Sequence, residues 1–332
     1  MFFMKCTLSI NSVENNEPII RAIKPSAVNI KQSVSNLVDT AEITLPLTPY
    51  LRQDNTDGTL IPERGIVFNP GDRVTIRMGY DDDITQRFEG FIARISNTVP
   101  MTLYCEGYAS QLRNVIFNYS YTNTTLKKML SDLCAGTDIT ISPYTVDLPL
   151  SNIFFRNASG LKVLEWVQKE LLCRVWFDGR QLYAGASLYA LPKPSVSFRL
   201  GYNTVKDSEL QKKSDKEHVQ LSIVEKQPTG ATKKVKDVSK KYSATKEIKI
   251  RPGLPEGFKR SLVAELQKLA DNHGYEGKIT AFLTPYVDKA YTIEIQDKRY
   301  PDREGRYFAE SVDTSFSHSG GRQTINLIYY GK

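Results

Sequence analysis

Four glutamates, Glu89, Glu106, Glu294 and Glu310, sit on stretches that read as strands. Two carboxylates suffice for glycoside hydrolysis, one as acid and the other as base or nucleophile. On an alternating strand, however, an outward-facing Glu is the ordinary residue of a half-solvated face, and no spacing brings two of these together. His218 lies in a Lys-rich stretch, His318 lies in a loop, and Asn272-His273-Gly274 reads as a helix C-terminus, where an imidazole favours the dipole. Asp81-Asp82-Asp83 offers oxygens to a hard cation but lacks the spaced Asp-x-Asp-x-Asp-Gly pattern, and reads as a solvated turn. Cys6, Cys105, Cys134 and Cys173 are too scattered for a zinc site. Their apolar neighbours imply buried thiols in a reducing compartment. GxSxG, HExxH, P-loop and GxGxxG patterns are absent. The expectation is a chain with no catalytic residues, no cofactor and no metal.

Composition bounds the rest. The 332 residues suit two or three domains, and 40% hydrophobic with 24% charged residues is globular composition. The net charge of +7 is local: Asn203–Lys249 holds 12 Lys and no Arg against 7 acidic residues, so five of the seven charges fall there. Nucleic-acid grooves add Arg and stacking aromatics. The stretch reads as a solvated Lys-rich excursion, with no specific nucleic-acid binding. The N-terminus lacks the signal-peptide pattern, and no run reaches transmembrane length, so no membrane insertion is expected.

Hydrophobic patterning divides the chain into three. Residues 1–112 read as a first β domain, with strands at Cys6–Val13, Ile19–Ile30, Thr40–Leu45, Arg73–Gly79, Gln86–Ser96 and Met101–Tyr108. Between the third and fourth lies a polar, Pro- and Gly-bearing loop, Pro46–Phe68, of a length that is uncommon unless functional or disordered. Its charged residues Arg52, Asp54, Asp57 and Arg64 are candidates for contact with a neighbouring subunit. Residues 113–194 read as a small α+β domain. It has a helix at Thr125–Cys134 capped by Asn123 or Thr124, a second at Gly160–Cys173 capped by Ser159, and a hairpin turning at Asp178-Gly179. Residues 195–332 return to β and contain an amphipathic helix, Phe258–His273. There the Lys-rich stretch Lys206–Lys246 reads as a long hairpin or partly disordered excursion.

A weak internal repeat links the outer thirds. Val74–Met78, an acidic turn, Phe88–Ile95, a polar tip and Met101–Cys105 recur in order as Tyr291–Ile295, a charged turn, Gly305–Val312, the tip Ser317–Arg322 and Thr324–Ile328. A trimer of such a chain presents six similar units in a ring.

The series Pro70–Gly79, Phe88-Glu-Gly-Phe-Ile-Ala-Arg-Ile95 and Leu103–Leu112 resembles the phage tail baseplate hub family, also called late control protein D. Asn123–Leu126, Leu161–Trp166, Trp176–Gly179 and Tyr275–Thr280 continue the same order, as do Pro301–Ala309 and the Ser-Gly-Gly-Arg tip. The resemblance covers most of the chain. It implies a mainly β fold with two tube-like antiparallel β-barrel domains flanking an α+β spacer. It also implies a homotrimer that joins a sixfold tail tube protein to a threefold spike. Such a protein is cytoplasmic during assembly and then part of the virion tail or injection particle. Two departures stand out. Asp288-Lys289-Ala290 replaces the usual Gly-Asp before the strand at Tyr291, and no β-helical needle follows, so the spike is expected to be a separate polypeptide.

Two other classes stay open at this stage. One is a carbohydrate- or receptor-binding module using Tyr119, Tyr121, Tyr329 and Tyr330. The other is a glycosidase-like enzyme using the strand carboxylates.

Overall fold

The computed structural model describes residues 3–14, 18–46, 68–96, 98, 100–187, 191–212, 219–226, 232–236, 244–271 and 274–331. Alternation of apolar and polar residues builds the first part. It comprises β1 (Met4–Asn11), β2 (Pro18–Ile23), β3 (Ala27–Ser33), β4 (Thr40–Leu45), β5 (Arg73–Tyr80), β6 (Asp83–Ser96) and β7 (Met101–Glu106). Leu8 and Ile10 of β1 and Val74, Ile76 and Met78 of β5 point to one face and are buried in a common core. The single strand expected over Ile19–Ile30 is two, β2 and β3, because Pro25 lies between them and lacks the N–H a continuous ladder needs.

The middle part holds β8 (Ile116–Thr125), α1 (Leu126–Leu133), β9 (Thr140–Ile141), β10 (Pro149–Ser159), α2 (Gly160–Glu170), β11 (Arg174–Asp178) and β12 (Gln181–Gly185). Leu126, Met129, Leu130 and Leu133 of α1 are buried together with Val163, Leu164 and Val167 of α2. The α1 cap is Thr125, whose hydroxyl accepts from the Lys128 N–H at 3.3 Å, rather than Asn123 or Thr124. Those two residues belong to β8, which pairs with β10 in a two-stranded ribbon that the periodicity did not signal.

The last part runs β13 (Ser195–Arg199), β14 (Thr204–Lys206), β15 (Gln211–Lys212), β16 (Val219–Lys226), β17 (Thr232–Lys236), β18 (Ala244–Ile250), α3 (Glu256–Ala270), β19 (Tyr275–Ala281), β20 (Thr292–Gln296), β21 (Gly305–Ser317) and β22 (Gly320–Gly331). The described part of the Lys-rich stretch contains the expected hairpin, β16–β17, but as part of a packed sheet rather than a solvated excursion. Strands β17-β16-β18 form a sheet with α3 against it, burying Ile223, Val224 and Ile250. The Lys259 ammonium on α3 donates to Glu225 in that interface, and the Gly253 N–H donates to the same carboxylate at 2.7 Å. Ile223, Ile250, Phe258 and Leu262 share the core of the middle part.

The first and last parts join in one 14-stranded sheet, in the order β14-β19-β22-β21-β3-β4-β7-β6-β5-β1-β2, with β15 also on β19 and β20 between β13 and β21. The fold is mainly β, with large antiparallel sheets. Parallel pairs occur at β13–β20, β9–β12 and β16–β18. The ladder between β21 and β3 runs from Ser311↔Ser33 to Ser317↔Ala27.

Two polar ties lock this joint. Arg87 on β6 is buried, donates to the Leu283 carbonyl and to Gln323 (3.2 Å), and stacks over Tyr286 at 4.3 Å. Gln323 in turn donates to the Pro285 carbonyl at 2.5 Å. The second tie is the Lys289 ammonium, which donates to Asp39 in the β3–β4 connection and lies 5.8 Å from the Trp176 ring centroid. Val34, Trp176, Tyr183, Ala290 and Phe308 form the small core around it. Residues from all three parts of the chain therefore meet at Lys289.

Removing one member of a buried ion pair strands the other charge, at a cost of about 3–5 kcal/mol. Lys289→Met is expected to lower the urea-unfolding free energy by that amount. The double variant Asp39→Asn/Lys289→Met should lose clearly less. Equal losses in both would show that the lysine stem, and not the charge pair, carries the joint.

Candidate functional site

The strand carboxylates are each committed to a partner. Glu89 accepts from the Tyr108 hydroxyl at 2.6 Å and from Gln86 at 3.0 Å. Burial and this carboxylate push the Tyr108 hydroxyl up to about 12. Glu106 takes two hydrogen bonds from the Arg113 guanidinium, at 2.9 and 2.8 Å. Glu310 accepts from the Ser35 hydroxyl at 2.8 Å and from Asn326 at 2.7 Å. Glu294 faces Arg306 across the β20–β21 ladder at 3.8 Å. These are the bonds of a sheet stitching its own strands together.

The other expected residues are placed as follows. Asp81 turns with φ +51° and accepts from the Phe3 N–H at 2.9 Å, and Asp82 lies 3.2 Å from Lys5. Among the described residues no group of three His, Cys, Asp or Glu converges on a metal-sized site. His318 lies on the exposed β21–β22 turn, whereas His218 and His273 fall outside the described residues. Arg52, Asp54, Asp57 and Arg64 also fall outside them. Of the four tyrosines considered for ligand binding, Tyr119 is exposed and stacks with Phe117 and Tyr121. The Tyr121 hydroxyl donates to Asp132 at 2.8 Å, Tyr329 packs against Tyr307, and the Tyr330 side chain is outside the description.

What the fold does bring together is two copies of one backbone device. β5-β6-β7 and β20-β21-β22 pair in the same order, and each central strand bulges against its third strand at the same place, between Ile92 and Arg94 in β6 and between Ala309 and Ser311 in β21. The turns before β5 and β20 correspond bond for bond. Gly71 donates to the Ile92 carbonyl at 2.7 Å, as Ala290 does to that of Ala309 at 2.8 Å. Ile92 donates back to Asp72 (2.9 Å), and Ala309 to Tyr291 (3.0 Å). Both Gly71 and Ala290 are left-handed, with φ +99° and +67°. The counterpart of Gly71-Asp72 is thus Ala290-Tyr291, two residues beyond the place that matching Val74 with Tyr291 implies. Asp288 and Lys289 stand where the first turn has Asn69 and Pro70, with Tyr291 donating to the Asp288 carbonyl (3.3 Å) as Asp72 does to that of Asn69 (3.1 Å). Burial raises the Asp288 carboxyl, with Lys289 and Lys193 opposing. The available signal was a small residue two positions before each strand.

The first copy ends in an open groove of about 1060 Å³ beside its bulge, lined among others by Ala93, Arg94, Lys31, Glu42, Glu106 and Asp138. Arg73 holds Asp138 at 2.9 Å on its floor, and Arg94 covers the Tyr104 ring at 4.0 Å. In the second copy the strand edge beyond the corresponding bulge is covered by this chain itself. The Val34 N–H donates to the Glu310 carbonyl at 3.0 Å, and β3 continues the ladder.

No protein-family model matches the sequence, and no curated protein matches it. The fold matches solved structures of phage tail proteins along nearly its whole length. A tail protein from Neisseria meningitidis aligns with TM-score 0.63 at 10% identity, over 98% of this chain and 98% of that one. The 43 kDa tail protein of prophage MuSo2 from Shewanella oneidensis aligns with TM-score 0.63 at 13% identity, over 98% and 97%. An E. coli component of the type VI secretion system, described as structurally similar to the T4 tail proteins gp27 and gp5, aligns with TM-score 0.54 at 11% identity, over 99% and 77%. The fold of this chain is that of phage tail proteins.

Burial pushes the thiols of Cys6, Cys105, Cys134 and Cys173 up to about 12, so all four stay protonated at pH 8. Only the thiolate is nucleophilic. A maleimide probe at pH 8 is expected to leave the folded protein unlabelled and to label all four cysteines in guanidinium. Fast labelling of the native protein would contradict this packing.

Proposed function

We propose that this chain is the structural hub of a phage tail or phage-like injection machine, a homotrimeric adaptor between a sixfold tail tube and a separate threefold spike. One observation carries the reading: the strand–bulge–strand device occurs twice in one chain and one sheet. Three copies of a duplicated unit offer six similar contacts toward a tube while keeping threefold symmetry elsewhere. The tail-protein fold supports the same reading. So does the commitment of the strand carboxylates to structural bonds, which favours a non-enzymatic role.

The division into 1–112, 113–194 and 195–332 belongs to this proposal. The strands of 219–250 and α3 lend their apolar faces to the middle core. Arg52, Asp54, Asp57 and Arg64 are proposed to reach a neighbouring subunit. The assembled protein then belongs to the virion tail or injection particle.

Sedimentation equilibrium is expected to give three times the chain mass. Deleting the segment between Pro46 and Phe68 is expected to yield a folded monomer. A monodisperse monomer of the intact chain at high concentration would refute the hub, and an intact trimer after the deletion would refute the role of that loop.

A further inference from the structure

The joint inside the chain describes a second joint between chains. Beyond its bulge, β21 has β22 on one edge and β3 on the other, from Ser311↔Ser33 onward. Beyond the equivalent bulge, Arg94, Ile95 and Ser96 of β6 have β7 on one edge and, among the described residues, no strand on the other. The groove beside the bulge touches that edge at Ala93 and Arg94 and is lined otherwise by residues of β3, β4 and β7, among others.

The strand that fills this position can be identified by its place in the sheet. β3 pairs with β4, which pairs with β7. In the second copy β14 and β15 pair with β19, which pairs with β22. The 204–212 edge is therefore the second-copy counterpart of β3, and it closes the sheet with nothing beyond it among the described residues. It is a short edge, three residues in β14 and two in β15 with a turn between them. Tyr202 is 80% exposed and Val205 48% exposed, and among the described residues no further strand covers it.

We propose that a second copy of this chain adds its 204–212 edge to the free edge of β6, antiparallel, repeating between subunits the β21–β3 ladder made within one. The inference rests on the hub reading and names the contact that builds it. The register follows from the ladders. Lys31 faces Thr40 as Gln211 faces Glu276, and Thr40 and Glu276 hold the same place against β7 and β22. Asp313↔Lys31 and Val312↔Gln32 then translate into Ser96 opposite Gln211 and Ile95 opposite Lys212 of the next copy. The contact is head-to-tail: one surface is β6 and the other is the 204–212 edge. Such contacts close into rings, and here intra-chain and inter-chain joints alternate around the ring. Addition of a strand supplies main-chain hydrogen bonds without a large apolar patch.

The test uses the full chain with Ser96→Cys and Gln211→Cys together, treated with a short bis-maleimide, beside each single variant. The native thiols are buried and protonated, so only the new pair reacts. The double variant is expected to give covalent species of two and three chains on a denaturing gel, and the single variants none of three. Sedimentation of the same samples separates the claims. A trimer that yields no covalent ladder overturns this pairing and leaves the hub standing. A monomer with no ladder overturns both.

Discussion

Strand β21 must satisfy two partners along one edge, and the rest of the molecule follows from how it does so. Its first residues pair with β20 and its last with β3, while β22 runs along the opposite edge throughout. The bulge between Ala309 and Ser311 lets one strand turn from its own unit to the other. A bulge adds a residue without a ladder partner and bends the strand, so the second half leaves the plane of the first. The freed Glu310 carbonyl is not wasted: Val34 donates to it, and the Glu310 side chain reaches Ser35. Two apolar cores thereby hang from one continuous sheet.

The polar ties across this joint set geometry more than they add stability. A guanidinium in the interior needs acceptors at defined angles, and Arg87 finds a carbonyl, an amide oxygen and a ring face. Burial pulls it down to about 10, still well above neutral pH, so it stays charged. Its Nε has no protein partner, which fits a group held by position rather than by a full set of bonds. A buried ion pair often gains little over an apolar substitute, because desolvation offsets the attraction. What it supplies at Asp39 and Lys289 is register. A slip of one residue would bury an unpaired charge, whereas apolar contacts alone would tolerate the slip.

Sequence reasoning reached the parts where one face of an element is buried and the other is wet. The alternation over Arg73–Met78 and the leucine stripes of α1 and α3 are of that kind, and so is the mainly β class. It failed where burial does not alternate. In β8, Phe117 is buried, but Ile116, Asn118, Tyr119 and Ser120 are exposed, so no period of two is visible. The Lys-rich stretch misled only in part: the apolar run Val219–Val224 reads as a strand and is one, β16, but the lysines around it conceal that β16, β17 and β18 make a sheet packed against α3. Of the candidate contact residues, Arg52, Asp54, Asp57 and Arg64 were chosen for loop length and charge, and lie outside what the structure describes. The edge of β6 beyond its bulge, which no described strand covers, was illegible because strand order is not written in the composition of any one strand. It shows only when the strand order of both copies is known.

The place where the chain departs from the hub pattern is also where its two copies must differ. The first turn needs only to launch a strand, and Gly71-Asp72 does that with a left-handed glycine and a buried carboxylate that accepts from the Val13 and Asn69 N–H groups. The second turn sits where all three parts of the chain meet. Ala290 keeps the left-handed conformation at some cost, since its Cβ crowds the backbone there. In exchange it buries a methyl group beside Trp176 and Phe308. Lys289, one residue earlier, reaches Asp39 in the other unit. A perfect repeat would place an aspartate and a glycine here and leave the three parts without a common anchor. Divergence of the second copy is thus the condition for combining two like units with one unlike spacer in a single rigid chain.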